Sequence, residues 1–185
     1  MKRTLFLDRD GVVNVDHGYI YRPDEFEFID GVFDACHAFQ EAGYEIVIIT
    51  NQSGIGRGYY TEQDFHALTN WMISQFNQRG IDILDVYFCP HHPKNANPPY
   101  LQRCACRKPQ PGMLLQAIQE HKLDARHSIM IGDKSSDMTA ARNAGIGQKY
   151  LVTSGQRLSD SDKALADRVF DNLPQMAAAV LHNKV

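Results

Sequence analysis

Short apolar segments alternate with amphipathic helical patterns along this chain, and this alternation restricts the possible folds more than any other feature of the sequence. The clearest apolar segment is residues 45–50, whose centre consists of isoleucine and valine only. Such a β-branched run is typical of a strand that is buried on both faces of a sheet. Further strands are predicted at residues 4–7, 85–89, 128–131, 148–152 and 168–170. The alternation predicts an α/β fold of three layers, in which helices cover both faces of a parallel sheet.

Helix signals lie between these strands. Asp30 is predicted to cap a first helix, and Gly43 is predicted to end it. Thr61 and Asp64 resemble a capping box at the start of a second helix. Further helices are predicted at residues 113–121, 137–144 and 173–181, with loops at residues 51–60 and 90–111. Residues 154–166 carry no motif that indicates a role.

The composition fits one globular domain that spans residues 1–185. Apolar residues make up 43% of the chain and charged residues 22%, which are ordinary values for a folded domain. The net charge of −3 argues against a nucleic-acid partner, because such proteins usually carry a basic field. No apolar stretch approaches the roughly 20 residues of a membrane span, and the first apolar run is too short for a signal peptide. We therefore expect a cytoplasmic protein without a membrane partner.

Polar side chains follow three of the predicted strands at the point where each strand ends. Asp8 and Asp10 follow the first strand, Thr50 and Asn51 lie at the end of the second, and Asp133 follows the fourth. Aspartate and asparagine are also common turn residues, which is an alternative explanation for each of them singly. Because ligands of parallel sheets bind beyond the carboxyl ends of the strands, we expect these side chains to form one site.

Asp8 and Asp10 are two positions apart, so an extended backbone directs both carboxylates to the same side. Two carboxylates this close resist joint ionisation unless a cation lies between them. Mg²⁺ prefers carboxylate oxygens and keeps open positions for water and phosphate oxygens. The sequence therefore predicts a magnesium site, to which Asp133 contributes as a third anchor.

Three cysteines and a histidine indicate a second metal site. Cys89, His91, Cys104 and Cys106 form a C-x-H and C-x-C pattern, and three thiolates with one imidazole suit tetrahedral zinc. Four protein ligands leave no open position, so the zinc is expected to be structural and to staple a loop that has little apolar content. His92 is an alternative to His91 as the fourth ligand.

Four motifs occur in order between residues 8 and 137. They are the D-x-D-G of Asp8 to Gly11, Thr50 at a strand end, Lys108 ahead of a helix, and the G-D-x-x-x-D of Gly132 to Asp137. A single D-x-D-G is a weak signal, but four ordered motifs on the expected elements are specific. In these residues the chain resembles the haloacid dehalogenase superfamily of phosphotransferases.

The resemblance implies a Rossmann-like fold and a phosphoaspartate mechanism. Asp8 would be the nucleophile and Asp10 the general acid and base, while Thr50 and Lys108 would hold the phosphoryl group. Mg²⁺ would bind to Asp8, to the main-chain carbonyl of Asp10 and to Asp133. The stretches between the motifs leave no room for a cap domain, which favours an open site and a monomer. Asp137 either orients Lys108 or the metal's waters, or it caps the helix that follows.

Two groups of this superfamily share a zinc loop on a capless phosphatase. One acts on a heptose 1,7-bisphosphate of the lipopolysaccharide pathway, and the other acts on histidinol phosphate. The residues alone do not separate the two substrates, but the longer resemblance favours the sugar bisphosphate. The resemblance implies substrate contacts by Asp16, His17, Gly18, Tyr19, Thr50, Asn51, Gln52, Ser53, Arg107, Lys108 and Lys134.

Two alternatives have a different activity. One is a phosphate-binding module without catalysis, which is disfavoured because all the catalytic motif residues are present. The other is a nucleic-acid end phosphatase, which is disfavoured by the acidic charge and by the absence of a basic, aromatic-lined stripe.

The zinc hypothesis predicts a stability defect. We expect Cys104→Ser to lower the melting temperature more than it changes turnover, because the zinc would hold a loop that cannot pack by itself. Thermal unfolding with and without a chelator measures this effect. An unchanged melting temperature would argue against the zinc site.

Overall fold

Six strands form one sheet in the computed structural model, which describes residues 1–181. The strands are β1 (Thr4–Leu7), β2 (Glu45–Asn51), β3 (Asp85–Cys89), β4 (Ile129–Gly132), β5 (Gln148–Val152) and β6 (Arg168–Phe170). Their spatial order is β3-β2-β1-β4-β5-β6, and every neighbouring pair is parallel. The chain builds outward from β1 to β3 and then returns to the other side of β1. This reversal of strand order places a crevice at the carboxyl ends of the central strands.

Helices connect the strands and cover both faces of the sheet. They are α1 (Val32–Glu41), α2 (Ser53–Gly56), α3 (Glu62–Asn77), α4 (Gly112–His121), α5 (Ser135–Asn143), α6 (Asp160–Lys163) and α7 (Leu173–Leu181), with 3₁₀ turns at Pro23–Glu25 and Ala125–His127. Among residues 1–181 we find no helix that is long and apolar enough to cross a membrane.

Alternate side chains of each central strand belong to two different cores. Leu5, Leu7 and Ile48 pack with α1, α3 and α7 on one face, whereas Phe6 and Val47 pack with α4 and α5 on the other. All of these strand residues are fully buried. A strand with both faces covered needs an unbroken apolar run, which is why these segments show no polar alternation. The predicted three-layer α/β fold is therefore confirmed.

The segments between strands are short in the described part of the chain. The connection from β1 to β2 holds α1, and the connection from β2 to β3 holds α2 and α3. The connection from β3 to β4 holds residues 90–111, here called the cysteine loop, and α4. Residues 1–181 thus contain no inserted cap domain, and the crevice is lined by loops and by the starts of α2 and α5.

Several predicted boundaries were wrong. Asp30 does not cap α1; the cap is Gly31, which has φ +80° and no side-chain cap bond. A left-handed backbone at this position favours glycine, and a Cβ there would lie 2.9 Å from Pro174. The predicted loop at residues 51–60 contains α2, and α6 lies in the segment that lacked a motif. Both of these helices have only four residues, so they show no period in the sequence.

The capping box of α3 is present. The Thr61 hydroxyl accepts the Asp64 N–H at 3.0 Å, and the Asp64 carboxylate accepts the Thr61 N–H at 2.8 Å. We expect Thr61→Ala to lower the free energy of unfolding by about 1 kcal/mol, because one donor of the first turn loses its partner. Urea unfolding measures the change, and an unaltered midpoint would contradict the assigned role of the cap.

Candidate active site

A buried lysine lies at the base of the crevice. The ammonium of Lys108 is 2.9 Å from Asp8 Oδ1 and 2.7 Å from Asp137 Oδ1, and it donates to the carbonyl of Ile49 at 2.8 Å. Only 4% of this residue is exposed. Burial opposes its charge, but Asp137 and Asp8 outweigh the burial and raise the pKa of Lys108. The site therefore holds a permanent cation next to the first motif.

The end of β2 and the cysteine loop hold Lys108 in place. The side-chain amide of Asn51 accepts the Lys108 N–H at 3.0 Å and donates to the Lys108 carbonyl at 3.1 Å. The preceding Arg107 donates its N–H to Cys104 Sγ at 3.4 Å and a guanidinium N–H to the carbonyl of His91 at 3.3 Å. The side chain of Asn51 therefore fixes the main chain of Lys108. It also lines the crevice, where the sequence analysis expected it to contact substrate.

Asp8, Asp133 and Asp137 bring carboxylate oxygens within 4.8 Å of one another. Asp133 is fully buried, and the ammonium of Lys134 lies 3.2 Å from both of its oxygens. Burial and then the charge of Asp8 raise the pKa of Asp133 to about 8, although Lys134 opposes the shift. Two buried anions this close are unfavourable without a further cation, so the arrangement fits a hard divalent ion with oxygen ligands.

The carboxylate of Asp10 is not part of this cluster. Its oxygens accept hydrogen bonds from Arg9 and Asn14 at 3.0 Å and from Gln52 at 3.1 Å. Burial opposes the charged form of Asp10, but the Arg9 guanidinium and these hydrogen bonds outweigh it and lower the pKa of the carboxyl. A magnesium contact by Asp10 through its main-chain carbonyl stays a prediction.

Arg9 is a site residue that the sequence analysis did not single out. It is 1% exposed, and one guanidinium nitrogen contacts both Asp10 and the carbonyl of Ile20. The motif D-x-D-G treats this position as variable, and strand alternation would point it away from Asp10. The chain instead turns here, since the N–H groups of Val12 and Val13 both bond to the carbonyl of Arg9.

Gln52 connects two predicted site residues. Its amide nitrogen donates to Asp10 Oδ2 and, at 2.8 Å, to Thr50 Oγ1. Its carbonyl oxygen accepts the hydroxyl of Tyr60, whose ring stacks on Tyr21 at 5.4 Å. Gln52 was expected to contact substrate, and it does line the crevice. Both the nitrogen and the oxygen of its side-chain amide are hydrogen-bonded to other protein groups. Tyr60 was missed, because no motif includes it.

Asp137 has two of the roles that the sequence left open. Its carboxylate pairs with Lys108, and it also accepts the main-chain N–H of Lys134 at 3.1 Å at the start of α5. Gly132 allows this close approach, because a Cβ there would collide with the Asp137 side chain. Asp137 therefore orients Lys108 and caps the helix at the same time.

The crevice has a volume of about 590 Å³. The predicted residues that line it are Asp8, Asp10, Asp16, Gly18, Tyr19, Asn51, Gln52, Ser53, Arg107, Lys108 and Lys134. Thr50 is fully buried beneath them. His17 does not line the crevice; it is exposed and lies 2.7 Å from Glu27. The structure thus assembles most of the predicted substrate residues and places His17 outside the crevice.

The cysteine loop gathers a second cluster. Sγ of Cys89 lies 3.5 Å from Sγ of Cys104 and 3.0 Å from Sγ of Cys106, and His91 Nδ1 lies 3.5 Å from Cys106. All four ligand atoms lie within 4.8 Å of one another, and three thiolates with one imidazole are a ligand set of tetrahedral zinc, so the cluster is compatible with one ion. His92 is engaged elsewhere, since its Nδ1 accepts the N–H groups of residues 94 and 95.

The chain is similar in sequence to a known protein family and to named enzymes. Residues 105–176 match a family model described as HAD-hydrolase-like. The D-glycero-beta-D-manno-heptose-1,7-bisphosphate 7-phosphatase of Yersinia pestis is 49% identical over 96% of this chain and 94% of its own length. The enzyme of that name from Escherichia coli K12 is 46% identical over 96% of this chain and 93% of its own length.

Solved structures agree with the sequence relatives. D,D-heptose 1,7-bisphosphate phosphatase from B. bronchiseptica, complexed with magnesium and phosphate, superposes with a TM-score of 0.84 at 30% identity. The match covers 98% of this chain and 99% of that one.

The raised pKa of Asp133 predicts a pH-dependent stability. The pKa of Asp133 is about 8 in the folded protein and 3.8 for an ordinary aspartate. The unfolded chain therefore loses this proton at lower pH, and the stability of the folded state falls as the pH rises from about 4 to about 8. We expect the melting temperature in a chelator to fall over this range, and magnesium to reverse the loss. Asp133→Asn is the matched control, and its melting temperature should lack this part of the pH dependence. Identical pH profiles for both proteins would contradict the assignment.

Proposed function

The chain belongs to the D-glycero-beta-D-manno-heptose-1,7-bisphosphate 7-phosphatases of the haloacid dehalogenase superfamily, and we propose that it removes the C7 phosphate of that sugar bisphosphate. It is a magnesium-dependent phosphoric monoester hydrolase that works through a phosphoaspartate, in the supply of ADP-heptose for the lipopolysaccharide core. The single observation that best supports this chemistry is the buried pair of Lys108 and Asp8 at the base of an open crevice.

We assign the nucleophile to Asp8. Its carboxylate oxygen would form a bond to phosphorus while the bond from phosphorus to the C7 oxygen breaks. Asp10 would give its proton to that departing oxygen and would later take a proton from the water that cleaves the phosphoaspartate, which releases phosphate and restores Asp8. The contacts of Asp10 with Arg9, Asn14 and Gln52 fix the carboxyl plane and favour its charged form, which supports the step in which Asp10 takes the proton from water.

Positive charge at the site would stabilise the transferring phosphoryl group. Lys108 remains charged because Asp8 and Asp137 flank it. Thr50, whose hydroxyl accepts the Gln52 amide at 2.8 Å, would offer a second group to the phosphoryl oxygens. Magnesium, held by Asp8, Asp133 and the carbonyl of Asp10, would reduce the repulsion between an anionic nucleophile and an anionic phosphate. The three carboxylates of Asp8, Asp133 and Asp137 outnumber the two lysines that pair with them, which supports this assignment.

The rim residues would recognise the rest of the substrate. We assign the second phosphate to Arg107, whose guanidinium suits phosphate geometry and lines the crevice next to Lys108. Asp16 and Ser53 would bond sugar hydroxyls, and Lys134, whose ammonium lies 3.9 Å from Asp16, would add positive charge there. His17 is not included, because it lies outside the crevice.

We further propose that a zinc ion joins Cys89, His91, Cys104 and Cys106 and supports Arg107. The contacts of Arg107 with Cys104 and His91 favour this coupling. We also propose that the chain acts as one domain, as a monomer and in the cytoplasm. One sheet that carries both cores supports a single domain, and four free cysteines fit a reducing compartment.

The assay that tests the function measures phosphate release with magnesium from the heptose 1,7-bisphosphate and from histidinol phosphate. We expect a large preference for the sugar bisphosphate. Asp8→Asn should abolish turnover and leave the fold intact, and Asp10→Asn should lower the rate by roughly 10²- to 10⁴-fold. A preference for histidinol phosphate would keep the mechanism and change the substrate. Near wild-type turnover by either variant would refute the mechanism.

A further inference from the structure

The segment that follows β5 closes against the two loops that carry the site carboxylates. The hydroxyl of Ser154 donates to the carbonyl of Gly11 at 2.7 Å, although 143 residues separate them. The side-chain amide of Gln156 donates to the carbonyl of Asp133 at 3.0 Å. One short segment therefore holds the main chain of the D-x-D-G turn and the main chain of Asp133.

Gly155 lies between these two hydrogen bonds and contacts the Asp133 side chain. A Cβ on Gly155 would overlap Asp133 Oδ2 and would lie 2.6 Å from Asp133 Cγ. A Cβ on Gly11 would also overlap Asp133 Oδ2 and would lie 2.8 Å from the Cα of Gly155. Both glycines are thus in close contact with the buried carboxylate and limit its movement towards them.

The segment is itself anchored in the sheet. The N–H of Thr153 donates to the carbonyl of Phe170 at 3.0 Å, at the end of the pairing between β5 and β6. The position of residues 154–156 is therefore set by the strands and not by a free loop. A displacement of this segment would also displace Asp133 and Gly11, because close-packed groups transmit movement to their neighbours.

We propose that residues 154–156 form a positioning segment, in which Ser154, Gly155 and Gln156 hold Asp133 and the D-x-D-G turn in the geometry that binds the divalent cation. This inference rests on the proposed function, since the cation is the one assigned to Asp8 and Asp133. The three residues act through Asp133 and Gly11 and have no catalytic role of their own. Magnesium demands near-ideal octahedral geometry, so a small displacement of one carboxylate weakens its binding.

Magnesium binding measured by calorimetry, with magnesium chloride alone and no substrate, tests the inference. We expect Gly155→Ala to weaken binding at least about tenfold, in the range seen when outer-shell partners of a metal site are changed. Ser154→Ala should weaken binding by about three- to tenfold, and Ser154→Thr, which keeps the hydroxyl, should stay within about twofold of the wild type.

Ser159→Ala is the matched control. Ser159 lies in the same connection and accepts the N–H of Asp162 at the start of α6, without contact to Asp133 or Gly11. It should lower the melting temperature slightly and leave magnesium affinity unchanged. Where Gly155→Ala fails to fold, the comparison of Ser154→Ala with Ser154→Thr decides.

The two proposals fail in different ways. The positioning segment would be overturned if Ser154→Ala and Gly155→Ala bound magnesium as tightly as the wild type, or if Ser159→Ala weakened binding equally. Either result would count even where the wild type releases phosphate from the heptose bisphosphate. Weakened magnesium binding in the first two variants supports the segment even where the wild type releases no phosphate from that sugar, an outcome that removes only the substrate assignment.

Discussion

The burial of one ammonium between two carboxylates organises the site. Lys108 carries its charge in the interior because Asp8 and Asp137 lie within 3 Å of it, and a buried charge without such partners would be strongly unfavourable. Asp8 follows β1 and Asp137 lies in α5 after β4, while Lys108 precedes α4. Three distant parts of the chain must therefore meet at the reversal of strand order, where β1 and β4 are neighbours.

The same cluster explains why a cation completes the site. Lys108 and Lys134 offset the charges of Asp8, Asp133 and Asp137 only in part. Burial and then the charge of Asp8 raise the pKa of Asp133, although Lys134 opposes the shift. A divalent ion at Asp8 and Asp133 would remove the remaining repulsion and supply charge where phosphate binds. Asp10 is separated from this cluster by its own partners, Arg9, Asn14 and Gln52, so its proton transfer is not tied to the cation by a shared carboxylate.

Periodicity and motif spacing predicted the sheet, both helical layers and the principal site side chains, because each depends on local sequence. The buried strands need unbroken apolar runs, and the four motifs lie at strand ends or helix starts by their position in the chain. The capping box of Thr61 was predicted for the same reason, since it involves residues only three apart. Asp30 was predicted wrongly as a cap because the left-handed backbone at Gly31 depends on packing against Pro174.

The amino-acid sequence by itself determined the three-layer fold, the family and the carboxylates and cations to which we assign the chemistry. Only the tertiary structure decided which of those side chains contact one another and which other residues contact them. Arg9 beside Asp10, Tyr60 beside Gln52 and residues 154–156 beside Asp133 have no local signal, because their partners lie across a turn or far along the chain. Likewise, His17 belongs to the same sequence motif as Asp16 but faces Glu27 outside the crevice, since the direction of a loop side chain is set by its packing.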